Sequence, residues 1–71
     1  RVRLIHRNVP GVMARVNQIF ASSEANVDAQ ILATVDEVGY VLTDISAGLG
    51  REALEELSHL PETVRLIATP L

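Results

Sequence analysis

The hydrophobic period of this chain switches back and forth between about two residues and about 3.6 along its length, and this limits the fold more than any other feature. Val2, Leu4 and His6 alternate with Arg1, Arg3, Ile5 and Arg7, the pattern of a strand with one partly solvated face. From Pro10 to Glu24 the spacing becomes helical, with Val12, Met13, Val16, Ile19 and Phe20 on one face and Arg15, Asn17 and Gln18 largely on the other. Pro10 suits a first turn, where its missing N–H removes nothing, and Asn8 is the N-cap that chemistry favours there. Asn26 to Val35 alternates again: Val27, Ala29, Ile31, Ala33 and Val35 on one face, Asn26, Asp28, Gln30 and Thr34 on the other. Asp36 to Gly39 reads as a turn, and Tyr40 to Ser46 as a third strand rich in Val, Ile and Thr. After Gly48 and Gly50, Ala53, Leu54, Leu57 and Leu60 form the stripe of a shorter helix that Pro61 stops. Thr63 to Thr69 is the last strand, ended by Pro70.

The order is βαββαβ, which predicts an α+β fold of ferredoxin-like type: a four-stranded antiparallel sheet with two helices on one face. Right-handed crossovers put strands 1 and 3 in the centre and strands 2 and 4 at the edges. Strand 4 lies between two prolines, as edge strands allow. Strand 2 is long and apolar, with neither Lys nor Pro to discourage pairing, and such an edge is expected to find a partner. A two-fold homo-oligomer through strand 2 is the economical solution, giving one continuous sheet across two chains.

Size sharpens that expectation. The 71 residues make one small domain, spanning 1–71, that buries only about 60% of its unfolded surface. With 48% hydrophobic residues the chain is globular, and with one Phe, one Tyr and no Trp its core is aliphatic. The absence of Cys removes disulfides, zinc–thiolate sites and cysteine nucleophiles together. Extra stability is then expected from oligomerisation or from attachment to a larger protein. A net charge of −3, with basic residues scattered along the chain, argues against nucleic acid as a partner. No apolar run is long enough to span a membrane and no signal peptide is visible, so a cytoplasmic fragment is expected.

Function is expected at the first strand-to-helix turn, His6-Arg7-Asn8-Val9-Pro10-Gly11-Val12. Backbone N–H groups around Val9, Gly11 and Val12, at the positive end of a helix dipole, suit a carboxylate. His6 and Asn8 can both donate and accept hydrogen bonds beside it. The combination suits a small zwitterion such as an amino acid, and no nucleophile or acid/base pair accompanies it. The other uses of this architecture lack their residues. There is no Cys-x-x-Cys for a metal, no set of aromatics on the central strands for RNA, and no glycine-rich loop for phosphate.

These residues carry a resemblance. Leu4 to Val12 looks like the first strand and loop of an ACT domain, the small regulatory module of amino-acid metabolism. Asn8-x-Pro10-Gly11-Val12, Asn17-x-Ile19-Phe20-Ala21, Asn26-Val27-x-Ala29-Gln30 and Gly39-Tyr40-Val41-x-x-Asp44-Ile45 narrow it. They resemble the serine-regulated ACT domain at the C-terminal end of bacterial D-3-phosphoglycerate dehydrogenase. The resemblance implies that L-serine binds between two domains paired edge to edge, touching His6 and Asn8 of one chain and Asn26 of the other. It also implies feedback inhibition of a parent enzyme whose catalytic domain holds NAD and carries out the oxidoreductase chemistry. This fragment itself has no dinucleotide fingerprint, so no cofactor and no catalytic residue are expected in it. Three positions depart from the family pattern. Arg7 stands where an acidic residue is often found, Val9 where Arg or Lys is common, and Glu62 where Gly is usual, a change expected to affect only the final turn.

Plainer roles remain open for the same residues. Asn8 fits a helix cap, Asn26 a left-handed helix stop, and His59 a favourable charge at the negative end of the second helix. An ACT domain of another amino-acid enzyme, such as serine dehydratase, and a purely structural dimerisation module are the alternative functions.

Overall fold

A computed structural model describes residues 1–47 and 49–69. Six elements follow in order: β1 (Val2–Arg7), α1 (Val12–Ser22), β2 (Asn26–Val35), β3 (Val38–Ala47), α2 (Arg51–Ser58) and β4 (Thr63–Ala68). The strands form one antiparallel sheet in the order β2-β3-β1-β4, so the ferredoxin-like arrangement with β1 and β3 central is observed. Gly48 and Pro70, expected to flank the second helix and to end the last strand, lie outside the described residues.

The core lies between one sheet face and the helices. Val2, Leu4 and Val41 from the central strands meet Val16, Ile19 and Phe20 of α1 and Ala53 and Leu57 of α2. Met13, Leu54 and Leu60 pack against this cluster from its rim. The helical stripes therefore lie where the 3.6-residue period puts them. Burying each large aliphatic side chain contributes about 1.5–3 kcal/mol against the entropy of ordering the chain.

Element ends differ from expectation for local reasons. The first helix starts at Val12 rather than Pro10, because Gly11 is its N-cap with φ 86, a left-handed conformation that other residues adopt only under strain. At its other end, left-handed Glu24 (φ 60) lets the Ala25 N–H return to the Phe20 carbonyl at 3.1 Å. Glu24, not Asn26, is therefore the left-handed stop, and Asn26 is free to open β2. The β2–β3 hairpin is tighter than expected: Val35 pairs with Val38, and left-handed Asp36 (φ 52) begins the connection.

Two bulges, one on each strand, interrupt the pairing of β2 with β3. Asn26 pairs with Ala47, Val27 with Ile45 and Ala29 with Asp44, so Ser46 and Asp28 are left over on their strands. Cross-strand partners share a face. Val27 therefore joins Gln30, Leu32 and Thr34 on the helix side, while Ala29, Ile31, Ala33 and Val35 keep to the outer side. A period-two reading puts Val27 with the outer set, and the inserted residue explains the error.

Candidate functional site

The last residues of β1 present the candidate site. His6 falls on the helix side of the central strand and is buried, 1% exposed. Its Nδ1 lies 2.8 Å from the Arg7 carbonyl. A carbonyl oxygen only accepts, so Nδ1 carries the proton, and in the neutral ring Nε2 presents a lone pair. That Nε2 is buried and has no hydrogen-bond partner among the described residues. Its ring lies directly over Gly39, its pair in β3: a Cβ there would come within 2.2 Å of His6 Cε1. Gly39 is the space that the imidazole occupies.

The loop after His6 is tied down by its backbone. The Arg7 N–H donates to the Glu62 carbonyl at 2.7 Å and the Asn8 N–H to the Glu37 carbonyl at 2.8 Å. Asn8 is exposed and does not cap α1; its side-chain Nδ2 reaches the Asp36 carbonyl at a long 3.5 Å. Of the backbone groups expected to face a ligand, two are engaged internally: the Val9 N–H with the Arg7 carbonyl at 3.0 Å and the Val12 N–H with the Val9 carbonyl at 3.3 Å. The Gly11, Met13 and Ala14 N–H groups have no acceptor among the described residues. The donor set at the helix start is thus displaced into the first turn of α1.

Asn26 lies at the far end of the molecule. His6 and Thr34 both pair with Gly39, whereas Asn26 pairs with Ala47 at the opposite end of β3. Eight residues of strand separate the Asn26 and Thr34 rows, about 27 Å at the usual rise. Within one chain, His6 and Asn8 come together and Asn26 does not join them. Its Nδ2 instead bridges the two bulged residues, donating to Asp28 Oδ1 at 3.0 Å and Ser46 Oγ at 2.7 Å.

One pair of residues at the site went unrecognised in the sequence. Glu62, in the α2–β4 turn, accepts from Arg15 of α1 with Oε2 2.6 Å from Nη2, and its other oxygen, Oε1, is buried without a partner. The Arg15 guanidinium holds the Glu62 carboxyl below its ordinary value, although burial opposes this. Arg15 also folds back toward the helix start, where its Nη1 lies within 3.6 Å of a Cβ placed on Gly11. Glu62 therefore does more than shape the final turn. The available signal was topological: antiparallel pairing of β1 and β4 brings the turn before β4 beside the end of β1, but nothing linear links position 15 to 62.

His59 is the C-cap of α2, with its Nδ1 2.7 Å from the Glu55 carbonyl. The described residues contain no cluster of three or more His, Asp or Glu side chains able to hold a metal, and no helix long and apolar enough to cross a membrane.

Comparison with known proteins agrees with this architecture. Residues 2–65 match the AHAS small subunit-like ACT domain. The chain is 40% identical over 67 residues to D-3-phosphoglycerate dehydrogenase of Escherichia coli K12, covering 92% of the chain and 16% of that enzyme. It is 37% identical over 65 residues to the Dictyostelium discoideum enzyme of the same name, and 35% identical to that of Haemophilus influenzae, again over 92% of the chain and 16% of each relative. The matched part of these enzymes is their C-terminal region. The chain spans about one sixth of their length. With the strand order, the loop and these matches in agreement, the chain belongs to the AHAS small subunit-like ACT domain family.

Proposed function

We propose that this ACT domain is a feedback sensor: it binds L-serine at a two-fold interface and regulates an attached D-3-phosphoglycerate dehydrogenase. The observation that carries the reading is a turn offering opposite unmet needs. Among the described residues, the buried Nε2 of His6 lacks a partner and the Gly11, Met13 and Ala14 N–H groups lack acceptors. An amino-acid zwitterion brings an ammonium for the first and a carboxylate for the second.

The proposed pairing follows from the edge strand. Antiparallel pairing of β2 with a second β2, centred between Gln30 and Ile31, sets the partner's Asn26 opposite Val35. Val35 adjoins Asp36, whose carbonyl the Asn8 side chain reaches. Two chains would thus complete the His6, Asn8 and Asn26 set that one chain keeps apart. Serine binding then favours the closely paired state over a looser one, by no more than its difference in affinity for the two. A coupling of about 1–3 kcal/mol suffices to regulate an enzyme. Hydride transfer and NAD binding belong, on this reading, to the catalytic domain of the parent protein, in the cytoplasm.

Calorimetric titration with L-serine tests this, with D-serine, glycine and apolar amino acids as a panel. Saturable, stereoselective heat that Asn8→Ala reduces about ten- to a hundredfold is expected. Binding of an apolar amino acid in place of serine would assign the sensor to another enzyme. Silence toward the whole panel, with pairing intact, would leave a structural dimerisation module.

A further inference from the structure

We infer that Glu62 is a further ligand-contact residue: its free Oε1 and the Nε2 of His6 form an acceptor pair for a primary ammonium group. This deepens the sensor reading above and rests on it. Both atoms are buried and both lack a partner among the described residues. Both are acceptors when the imidazole is neutral, since its one proton is then committed to the Arg7 carbonyl and Glu62 is a carboxylate whose Oε2 already takes the Arg15 guanidinium. They also belong to one corner of the fold. The Arg7 N–H bonds the Glu62 carbonyl at 2.7 Å, and His6 pairs with Thr63, the next residue in the chain.

A single occupant that satisfies both acceptors must bring at least two hydrogens. An ammonium brings three, with a positive charge that suits the carboxylate. A hydroxyl brings one and cannot satisfy both. A resident water brings two and is the competing occupant. Arg15 does not cancel the attraction, because its side chain is 45% exposed and shares its charge with solvent. Glu62 would thus discriminate an amino acid from the corresponding hydroxy acid, which His6 and the helix-start N–H groups alone do poorly.

The test follows the imidazole directly. In a chain carrying His59→Gln, so that His6 gives the only imidazole nitrogen resonances, the Nε2 signal is followed while L-serine, ethanolamine or glyceric acid is added. Both amines are expected to move it, and glyceric acid is not. Calorimetry of Glu62→Gln and Glu62→Gly is expected to show at least tenfold weaker serine binding. The glycine variant guards against a folding defect in the other. Serine affinity within twofold of the unaltered chain in both variants overturns the inference and leaves the serine sensor standing. An Nε2 signal unmoved by either amine also overturns it and assigns the space to water only. Should ethanolamine move Nε2 in a Glu62-dependent way while serine does not bind, the acceptor pair stands and the serine reading falls.

Discussion

At the scale of single residues, the site is set by an exchange of volume between two strands. His6 is buried on a central strand because Gly39 opposite it has no side chain. A methyl group at that position would occupy the ring's own space, and the neighbour that must yield is a buried imidazole rather than the tip of a flexible chain. Gly39→Ala is therefore expected to destabilise the domain by about 1–3 kcal/mol through overpacking. In a chain of this size that lowers the thermal midpoint by about 4–8 °C per kcal/mol. It should also displace Nε2 and weaken ligand binding at a concentration of folded protein checked by circular dichroism. A thermal midpoint equal to that of the unaltered chain would contradict the packing described for His6.

Between elements, two ion pairs tie together segments distant in sequence. Arg1 holds Asp44 of β3 with Nε to Oδ1 at 2.8 Å and Nη2 to Oδ2 at 3.1 Å, while Arg15 joins α1 to Glu62 in the α2–β4 turn. Hydrogen bonding to Arg1 lowers the Asp44 carboxyl below its usual value, as Arg15 does for Glu62. A carboxyl lowered in the folded state binds fewer protons there than in the unfolded chain. Its contribution is complete above the unfolded value near about 4 and is lost as pH falls through the lowered folded value. The thermal midpoint should therefore drop as pH falls below about 4. The double variant Asp44→Asn, Glu62→Gln should start lower at neutral pH and fall less steeply. An equal fall in both proteins would show that other carboxyls govern the acid limb.

Across the whole molecule, β2 is the anomaly. Every residue of it is exposed, including Ile31 at 61%, Leu32 at 49% and Val35 at 72%, on both faces of the strand. The helices cover β1, β3 and β4, whereas β2 is paired with β3 alone and meets α1 through the Gln30–Asn17 hydrogen bond. A free, apolar edge of this kind is a template on which the proposed second chain would add. Lysines at Ile31 and Leu32 should abolish pairing by sedimentation while leaving the fold intact, since neither side chain belongs to the core. If the sensor reading holds, the same variant also loses serine binding. Retained pairing would move the interface to another surface.

Much of this was legible in the sequence, because periodicity is a local property. The stripes of α1 and α2, the order of the elements and the central places of β1 and β3 follow from spacing and from the handedness of crossovers. His6 and Asn8 were legible as a pair because one turn carries both. The bulges at Asp28 and Ser46 were not, since an inserted residue has the same composition whether it pairs or not, yet it moves Val27 to the opposite face. Nor was the Asn17–Gln30–Thr43 network: Asn17 counts as a polar-face residue of α1, but Gln30 Nε2 donates to both Asn17 Oδ1 and buried Thr43 Oγ1. Glu62 stood out only as a departure in a turn. Its meeting with Arg15 and its place beside His6 arise where three elements converge, and convergence is fixed by packing the sheet against two helices at once. The sequence by itself determined which faces are apolar and where the chain turns; only the tertiary structure decided which polar atoms are buried without a partner, because that depends on contacts no local pattern encodes.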